Sequence, residues 1–155
     1  GNAYAQTMLV LAGAEEGVVK GQAVLSGDGL VGRIVEGGAK AARILLLTDI
    51  NSRVPIEIEG TKTRAILAGQ NHAFPRLDHL PEGHGIETGS RVVTSGHGGL
   101  FLPGLPVGHT YVDPQGQVFV QLFAKPEQLT YVRMIDRVMD EALLRGQIKP
   151  GSPAR

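Results

Sequence analysis

The sequence predicts an all-β fold with little helix. Apolar and polar residues alternate at period two through most of its 155 residues, a pattern typical of half-buried strands. Gly and Pro interrupt the alternation at short intervals, with 22 Gly and 9 Pro in the chain. Aromatic residues make up only 5% of the sequence, and there is no Trp. Many short strands joined by turns fit this composition better than long helices.

Ten strands follow from the alternation. They span residues 5–11, 23–26, 30–36, 42–48, 54–59, 64–68, 91–95, 107–112, 118–123 and 131–138. The run 44–47 (ILLL) is apolar throughout, as expected of a strand buried on both faces. Residues 113–116 (DPQG) predict a tight turn, because Pro presets φ and Gly permits a positive φ. Residues 69–89 are polar and predict a connector with at most one short strand.

The C-terminal residues differ in composition from the rest. Residues 136–145 contain good helix formers and are followed by Gly146, which predicts a short helix. Residues 147–155 contain two Pro, a Gly and a Ser and have no apolar face. We expect them to form a disordered tail.

An internal similarity suggests two units of like design. Residues 21–27 (GQAVLSG) lead to 31–35 (VGRIV), and residues 89–96 (GSRVVTSG) lead to 107–112 (VGHTYV). Both copies predict a strand, a glycine-rich turn and a second strand. We therefore expect two small six-stranded β-barrels packed against each other.

The predicted boundaries place one barrel inside the other along the chain. In this prediction residues 20–80 form the inserted barrel, residues 1–19 with 85–137 form the second barrel, and residues 138–155 contain the short helix and the tail. A single barrel of about 60 residues would be marginally stable, which is why the two are expected to pack together.

Charge and composition exclude several classes of function. The chain has 15 Lys+Arg and 15 Asp+Glu, so it has no basic excess for binding nucleic acid. It has no Cys, which excludes thiolate nucleophiles, iron–sulfur clusters and disulfides. No window approaches the roughly 18 apolar residues of a membrane span. Neither a cofactor nor a nucleic-acid partner is expected.

A glycine motif resembles a dinucleotide-binding loop. Gly27, Gly29 and Gly32 have the required spacing and follow a predicted strand, and Asp49 lies at a suitable distance. The residues after the glycines, LVGRIV, alternate as a strand does and do not form a helix whose N-terminus could bind phosphate. A β-hairpin is the favoured interpretation.

A serine and several histidines raise the possibility of a hydrolase. Ser95 and His97 lie in a glycine-rich turn, but Val93 and His97 occupy the places where a nucleophile elbow needs Gly. A triad with Ser95 could still form with a histidine from elsewhere in the chain. The other candidates are His72, His79, His84 and His109. A local bond from Ser95 to the backbone is the simpler interpretation.

The polar connector contains residues that could bind a metal ion. The candidate ligands are Asp78, His79, Glu82 and His84. None of the established metal-binding spacings accompanies them, so surface histidines are favoured over a metal site.

An apolar loop is the most informative feature outside the strands. Residues 100–106 (LFLPGLP) are strongly apolar, yet two Pro and a Gly prevent them from forming a central strand. Either the loop folds back to close the end of a barrel or part of it is exposed as a docking surface. Phe101 and Leu102 would then be divided between core and surface.

Two long motifs give the chain a family resemblance. Residues 26–35 (SGDGLVGRIV), followed by 45–55 (LLLTDINSRVP), resemble the first hallmark of the rod shape-determining MreC family. Residues 92–108 (VVTSGHGGLFLPGLPVG) resemble its second hallmark. Ile50 stands where that family usually has Pro, and His97 where an aliphatic residue is common.

The resemblance implies a scaffold at the periplasmic face of the bacterial inner membrane. Family members have a membrane helix and a coiled coil before their β-domain, so this chain is expected to be the soluble periplasmic part. They connect MreB and MreD to RodA and penicillin-binding protein 2, and they self-associate. Their barrels resemble those of chymotrypsin-like proteases without a working triad.

The leading hypothesis is therefore a non-enzymatic scaffold for cell-wall elongation that binds penicillin-binding protein 2 and other copies of itself. Phe101, Leu102 and Tyr111, near the second hallmark, are the predicted interface residues. One alternative is a chymotrypsin-like hydrolase with Ser95 as its nucleophile. Another is a periplasmic adaptor of an export system.

Overall fold

The computed structural model describes residues 7–135, and they form an all-β structure. The strands are β1 Thr7–Val10, β2 Ala23–Leu25, β3 Leu30–Gly37, β4 Ala42–Leu46, β5 Arg53–Ile58, β6 Arg64–Ala68, β7 Arg76–Asp78, β8 Arg91–Thr94, β9 Pro106–Val112, β10 Val118–Leu122 and β11 Arg133–Ile135. Three single 3₁₀ turns, Ala14–Glu16, His97–Gly99 and Pro126–Gln128, are the helical segments of the described part.

Five of the strands form an antiparallel sheet in the order β1-β4-β3-β2-β11. The apolar residues of one face pack around a core that includes Val24, Ile34, Ile44 and Leu46. Met8 and Met134, from the two edge strands, both pack against this core. The sheet therefore curls around its own apolar centre.

The other six strands close into a barrel in the order β10-β7-β6-β5-β8-β9. Alternate residues of its strands point inward, as in Val118 and Val120 of β10. The β5–β6 hairpin turns at Gly60, whose φ of 80° is accessible to glycine at little cost.

The barrel core continues into the sheet. Ala23, Leu25 and Leu30, from the β2–β3 hairpin, belong to the same buried cluster as Val92 and Val107 of the barrel. The two units therefore share one packed core and are not structurally independent domains.

The all-β prediction is confirmed, and each of the ten predicted strands has a counterpart. The connector contains one short strand, Arg76–Asp78. One of the two predicted barrels is present as a closed six-stranded barrel. The other unit forms a five-stranded sheet within the described residues. The predicted helix at 136–145 and tail at 147–155 lie outside the described residues.

The strand pairing corrects the predicted boundaries. Residues 20–80 do not form one barrel, since β2–β4 lie in the sheet and β5–β7 lie in the closed barrel. Residues 1–19 with 85–137 do not form the other, because β1 pairs with β4 and β8–β10 complete the closed barrel. The barrel is thus the inserted unit. Alternation locates strands but not their distant partners: β5 pairs with β8, and β7 pairs with β10.

Two glycines of the dinucleotide-like motif provide a test of the close packing in the sheet. A Cβ on Gly32 would clash with the carbonyl oxygen of Leu45, whereas a Cβ on Gly27 would meet nothing within 4 Å. We expect Gly32→Ala to lower the free energy of unfolding by about 2 kcal/mol or more, because the backbones of β3 and β4 must separate. Gly27→Ala is the matched control and should change it by less than about 0.5 kcal/mol. Urea denaturation measures both, and equal effects would contradict this account.

Candidate functional site

The loop between β4 and β5 connects the two units and is held by several hydrogen bonds; it is called the braced joint below. The Asp49 carboxylate accepts a hydrogen bond from the backbone N–H of Asn51 at 2.7 Å. The Asn71 side-chain oxygen accepts one from the N–H of Ile50 at 2.7 Å, and the Arg53 guanidinium donates to the carbonyl of Ile50 at 2.7 Å. The polar residues of the first hallmark are thus engaged in fixing the loop.

The second hallmark closes one end of the barrel. The Thr94 hydroxyl is buried; it donates to the carbonyl of Leu102 and accepts from the N–H of Leu105. Phe101 is only 4% exposed and belongs to the barrel core. The loop therefore folds back onto the barrel, the first of the two arrangements that its composition allows.

This arrangement corrects the expectation for Phe101. A side chain in the barrel core cannot contact a partner while the barrel is folded, so Phe101 is a core residue. Leu102 is half-buried, whereas Tyr111 is 51% exposed on β9. Sequence alternation could not assign Phe101 and Leu102 to core or surface, because the loop is not a regular strand.

Ser95 makes the local bond that its turn favours. Its hydroxyl accepts from the backbone N–H of His97 at 3.1 Å. His72 and His84 each accept a backbone N–H two residues further on, and His109 contacts the Phe123 ring edge-on at 4.7 Å. Within residues 7–135 no side-chain hydrogen bond joins Ser95 to an imidazole.

Asp78, a candidate metal ligand, is paired with Arg76. The guanidinium makes a two-point contact with the carboxylate. This hydrogen bond, opposed by desolvation and reinforced by the charge of Arg76, lowers the pKa of Asp78. In the described part of the chain, no group of three or more Asp, Glu or His residues is placed to bind a metal ion.

A groove lies on the surface where the sheet meets the barrel. Its volume is about 580 Å³, and its walls come from both units. Its lining residues are Met8, Thr48, Ala73, Phe74, Gln121, Leu122, Ala124, Lys125, Pro126 and Glu127. Phe74 is 48% exposed, which is high for a Phe side chain. Sequence analysis missed the groove because its walls come from distant parts of the chain.

Phe74 is positioned by bonds on both sides of its backbone. Its N–H donates to Nδ1 of His72 at 3.2 Å, and its carbonyl accepts from the Gln70 amide at 3.1 Å. These two contacts fix the backbone of Phe74, whose side chain lines the groove.

The groove continues onto the outer face of the barrel through β10. Gln121 lines the groove, and Phe119 lies two residues earlier on the same outward face of that strand. Phe119 stands opposite Tyr111 on one side and opposite Arg76 on the other. Phe74, Phe119 and Tyr111 thus mark one continuous surface, called the aromatic face below.

The comparison with family models decides the assignment. The model of the rod shape-determining protein MreC, barrel core, matches residues 1–136. The chain belongs to the MreC family. This is a family of shape-determining scaffold proteins and not of enzymes, so the hydrolase alternative with Ser95 as nucleophile is wrong.

Relatives of known name agree with the membership. The chain is 46% identical over 132 residues to the cell shape-determining protein MreC of Caulobacter vibrioides, covering 85% of this chain and 38% of that protein. It spans less than half the length of the curated relatives that it matches.

Solved MreC structures share the fold. The crystal structure of MreC from Pseudomonas aeruginosa matches with a TM-score of 0.79 at 30% identity, over 84% of this chain and 89% of that one. The structure of a complex between penicillin-binding protein 2 (PBP2) and MreC from Helicobacter pylori matches with a TM-score of 0.57 at 19% identity, over 72% and 74% of the two chains. At that identity the likeness to the complex shows the fold alone.

Residues 7–135 contain no helix with the length and hydropathy needed to cross a membrane.

The burial of Phe101 and the exposure of Tyr111 predict a large and a small effect, respectively, of substitution by Asp on stability. We expect Phe101→Asp to lower the free energy of unfolding by about 4 kcal/mol or more, because it removes a core ring and buries a charge. Tyr111→Asp should change it by less than about 1 kcal/mol, because that side chain is half in solvent. Urea denaturation followed by circular dichroism tests this pair. A fully stable Phe101→Asp variant would refute the assignment of Phe101 to the core.

The Arg76–Asp78 pair predicts a small pH-dependent contribution to stability. The folded-state pKa of Asp78 is lowered. The stabilisation from its pairing with Arg76 is therefore fully present above the unfolded pKa of about 3.9 and is lost as the pH falls through the folded-state pKa. We expect Asp78→Asn to cost at most about 1 kcal/mol at pH 7, since the pair is partly exposed, and less than that at about pH 3, below the unfolded pKa. Parallel urea titrations at the two pH values measure the difference. A cost that is the same at both would contradict the pairing.

Proposed function

We propose that this chain is the periplasmic part of a non-enzymatic scaffold that controls rod shape by binding penicillin-binding protein 2. Membership of the MreC family supports a role in cell shape. The Helicobacter pylori relative, whose structure was solved as a complex with PBP2, supports this choice of partner. The observation that carries the proposal for this chain is the aromatic face.

The aromatic face has the properties of a docking surface. It joins an apolar groove to exposed rings, and Lys125 and Glu127 supply charged groups at the groove. Interfaces are typically anchored by a few well-placed aromatic residues surrounded by a polar rim. Phe74 fits that role because its backbone is already fixed, so little ordering entropy is lost when it binds.

Tyr111 extends the proposed contact along the barrel. It lies opposite Phe119, so a partner seated in the groove and on β10 would reach it. Leu102 stays a predicted interface residue, although its half-buried side chain offers less contact area.

The setting of the scaffold is also part of the proposal. We place the chain at the periplasmic face of the inner membrane, attached through a membrane helix in the longer protein. Contacts with RodA, MreD and MreB in that protein, and self-association, are what the family resemblance implies. The zero net charge agrees with protein partners in preference to nucleic acid.

Calorimetric titration against the purified periplasmic region of the cognate penicillin-binding protein 2 tests the proposal. We expect saturable binding near micromolar Kd, about −8 kcal/mol, at physiological salt. Phe74→Asp should weaken binding at least about tenfold, since a charge would replace the ring beside the groove, and Tyr111→Asp should weaken it by a smaller factor.

Val19→Asp is the matched control for these variants. Val19 is half-exposed and lies outside the groove and the aromatic face, so its substitution should leave the affinity unchanged. If Tyr111→Asp abolished binding and Phe74→Asp did not, the contact would lie at Tyr111 and not in the groove. Unchanged affinity in both aromatic variants would refute the aromatic face, and no binding by the folded wild-type chain would refute the partner.

A further inference from the structure

A methionine forms part of the wall of the groove. Met8 lies on β1 opposite Ile44 of β4 and is half-buried. Its side chain packs against the core of the sheet and also lines the groove. A small molecule that enters the groove can therefore reach this side chain.

The composition makes methionine the main target of a mild oxidant. Peroxides react most readily with thiols and thioethers, and this chain has no Cys and three Met. Met8 and Met134 are the two methionines of the described residues. Met134 also packs, partly buried, against the core of the sheet, but it is not among the residues that line the groove. The chain thus carries its own control for oxidation at the groove.

We propose that Met8 is an oxidation site that controls docking in the groove, with a peroxide as the oxidant. The inference rests on the proposed function, since it concerns the binding of penicillin-binding protein 2 at that groove. With hydrogen peroxide, a lone pair of the thioether sulfur attacks one peroxide oxygen, so that an S–O bond forms and the O–O bond breaks. The proton on the transferred oxygen passes to the departing hydroxide, which leaves as water. The sulfur loses two electrons to give the sulfoxide, and the peroxide is reduced.

The sulfoxide would change the chemistry of the groove wall. Oxidation converts an apolar thioether into a polar, chiral group whose oxygen accepts hydrogen bonds. Apolar residues, among them Phe74, Leu122 and Ala124, line the same groove. An apolar side chain of a partner seated there would remove water from the sulfoxide, and burying a polar group without a hydrogen bond is costly. Oxidation of Met8 should therefore weaken docking.

The position of Met8 suits a reversible change. It lies on an edge strand and borders open space, so the added oxygen can point into the groove without entering the core. The methionine side chain is unbranched and adapts readily to such a shift. Methionine sulfoxide is returned to methionine by sulfoxide reductases, so the loss of docking can be reversed.

Oxidation followed by titration tests the proposal. The wild type is treated with hydrogen peroxide, the peroxide is removed, and peptide mass spectrometry locates the sulfoxides. Calorimetric titration against the periplasmic region of the cognate penicillin-binding protein 2 then gives the affinity. We expect a sulfoxide at Met8 and binding at least about tenfold weaker than that of the untreated chain. Treatment with two reductases, one for each sulfoxide epimer, should restore the affinity.

Two conservative variants identify the methionine responsible. Met8→Leu has no thioether in the groove, so peroxide should leave its affinity unchanged. Met134→Leu is the matched control, and it should lose affinity on treatment as the wild type does. Met139, which lies outside the described residues, is present in every variant and cannot account for a difference between them.

Met8→Gln gives a measurement without the oxidant. Its amide places a polar group on an unbranched side chain at the same point of the wall, so binding should weaken at least about threefold. Circular dichroism follows the fold of every sample. The oxidised wild type and Met8→Gln should both remain folded at the temperature of the titration, and loss of affinity together with loss of the fold would overturn the account.

The outcomes separate this inference from the function on which it rests. Oxidation of Met134 while Met8 stays reduced, or unchanged affinity in a chain that carries the Met8 sulfoxide, would overturn the inference and leave partner binding standing. An equal loss of affinity in peroxide-treated Met8→Leu would also overturn it. Failure of the untreated wild type to bind would overturn the proposed function and this inference with it.

Discussion

The apolar core that runs from the closed barrel into the sheet is the contact on which the other features depend. Leu25 and Leu30 of the β2–β3 hairpin pack with barrel residues, and the turn between these strands lies against the barrel. A Cβ on Gly29 would lie 2.9 Å from the carbonyl oxygen of Pro106 and 3.2 Å from Phe123. The glycine that resembles part of a phosphate-binding loop is thus required by packing between the two units.

The groove lies beside the same contact. Met8 of the sheet lines it together with Phe74 and Leu122 of the barrel. The braced joint at Asp49 and Asn71 keeps the units in one relation. A partner seated there would therefore meet a preformed surface, which lowers the entropic cost of binding.

The local features of the fold could be predicted from the sequence, and the long-range ones could not. Alternation located the strands, and the strand-like pattern of residues 30–35 identified a hairpin in place of a nucleotide site. The pairing of β5 with β8 depends on contacts across more than thirty residues, on which local periodicity carries no information. Tyr111 could be placed on a surface because it lies in a regular strand. Phe101 lies in an irregular loop, and the Thr94 hydrogen bonds determine the direction in which that loop turns.

The insertion of the barrel within the sheet has a mechanical consequence. The described chain enters through β1 and leaves through β11, and both strands belong to the sheet. Tension applied between residues 7 and 135 would therefore act first on the hydrogen bonds between the strands of the sheet, either by shearing them or by peeling the edge strands away. The barrel, attached at both of its ends to that sheet, would carry little of the load until the sheet yielded. The rings of Phe74, Phe119 and Tyr111, which lie on the barrel side, would keep their arrangement, whereas the groove beside them would lose its Met8 wall as β1 was pulled away.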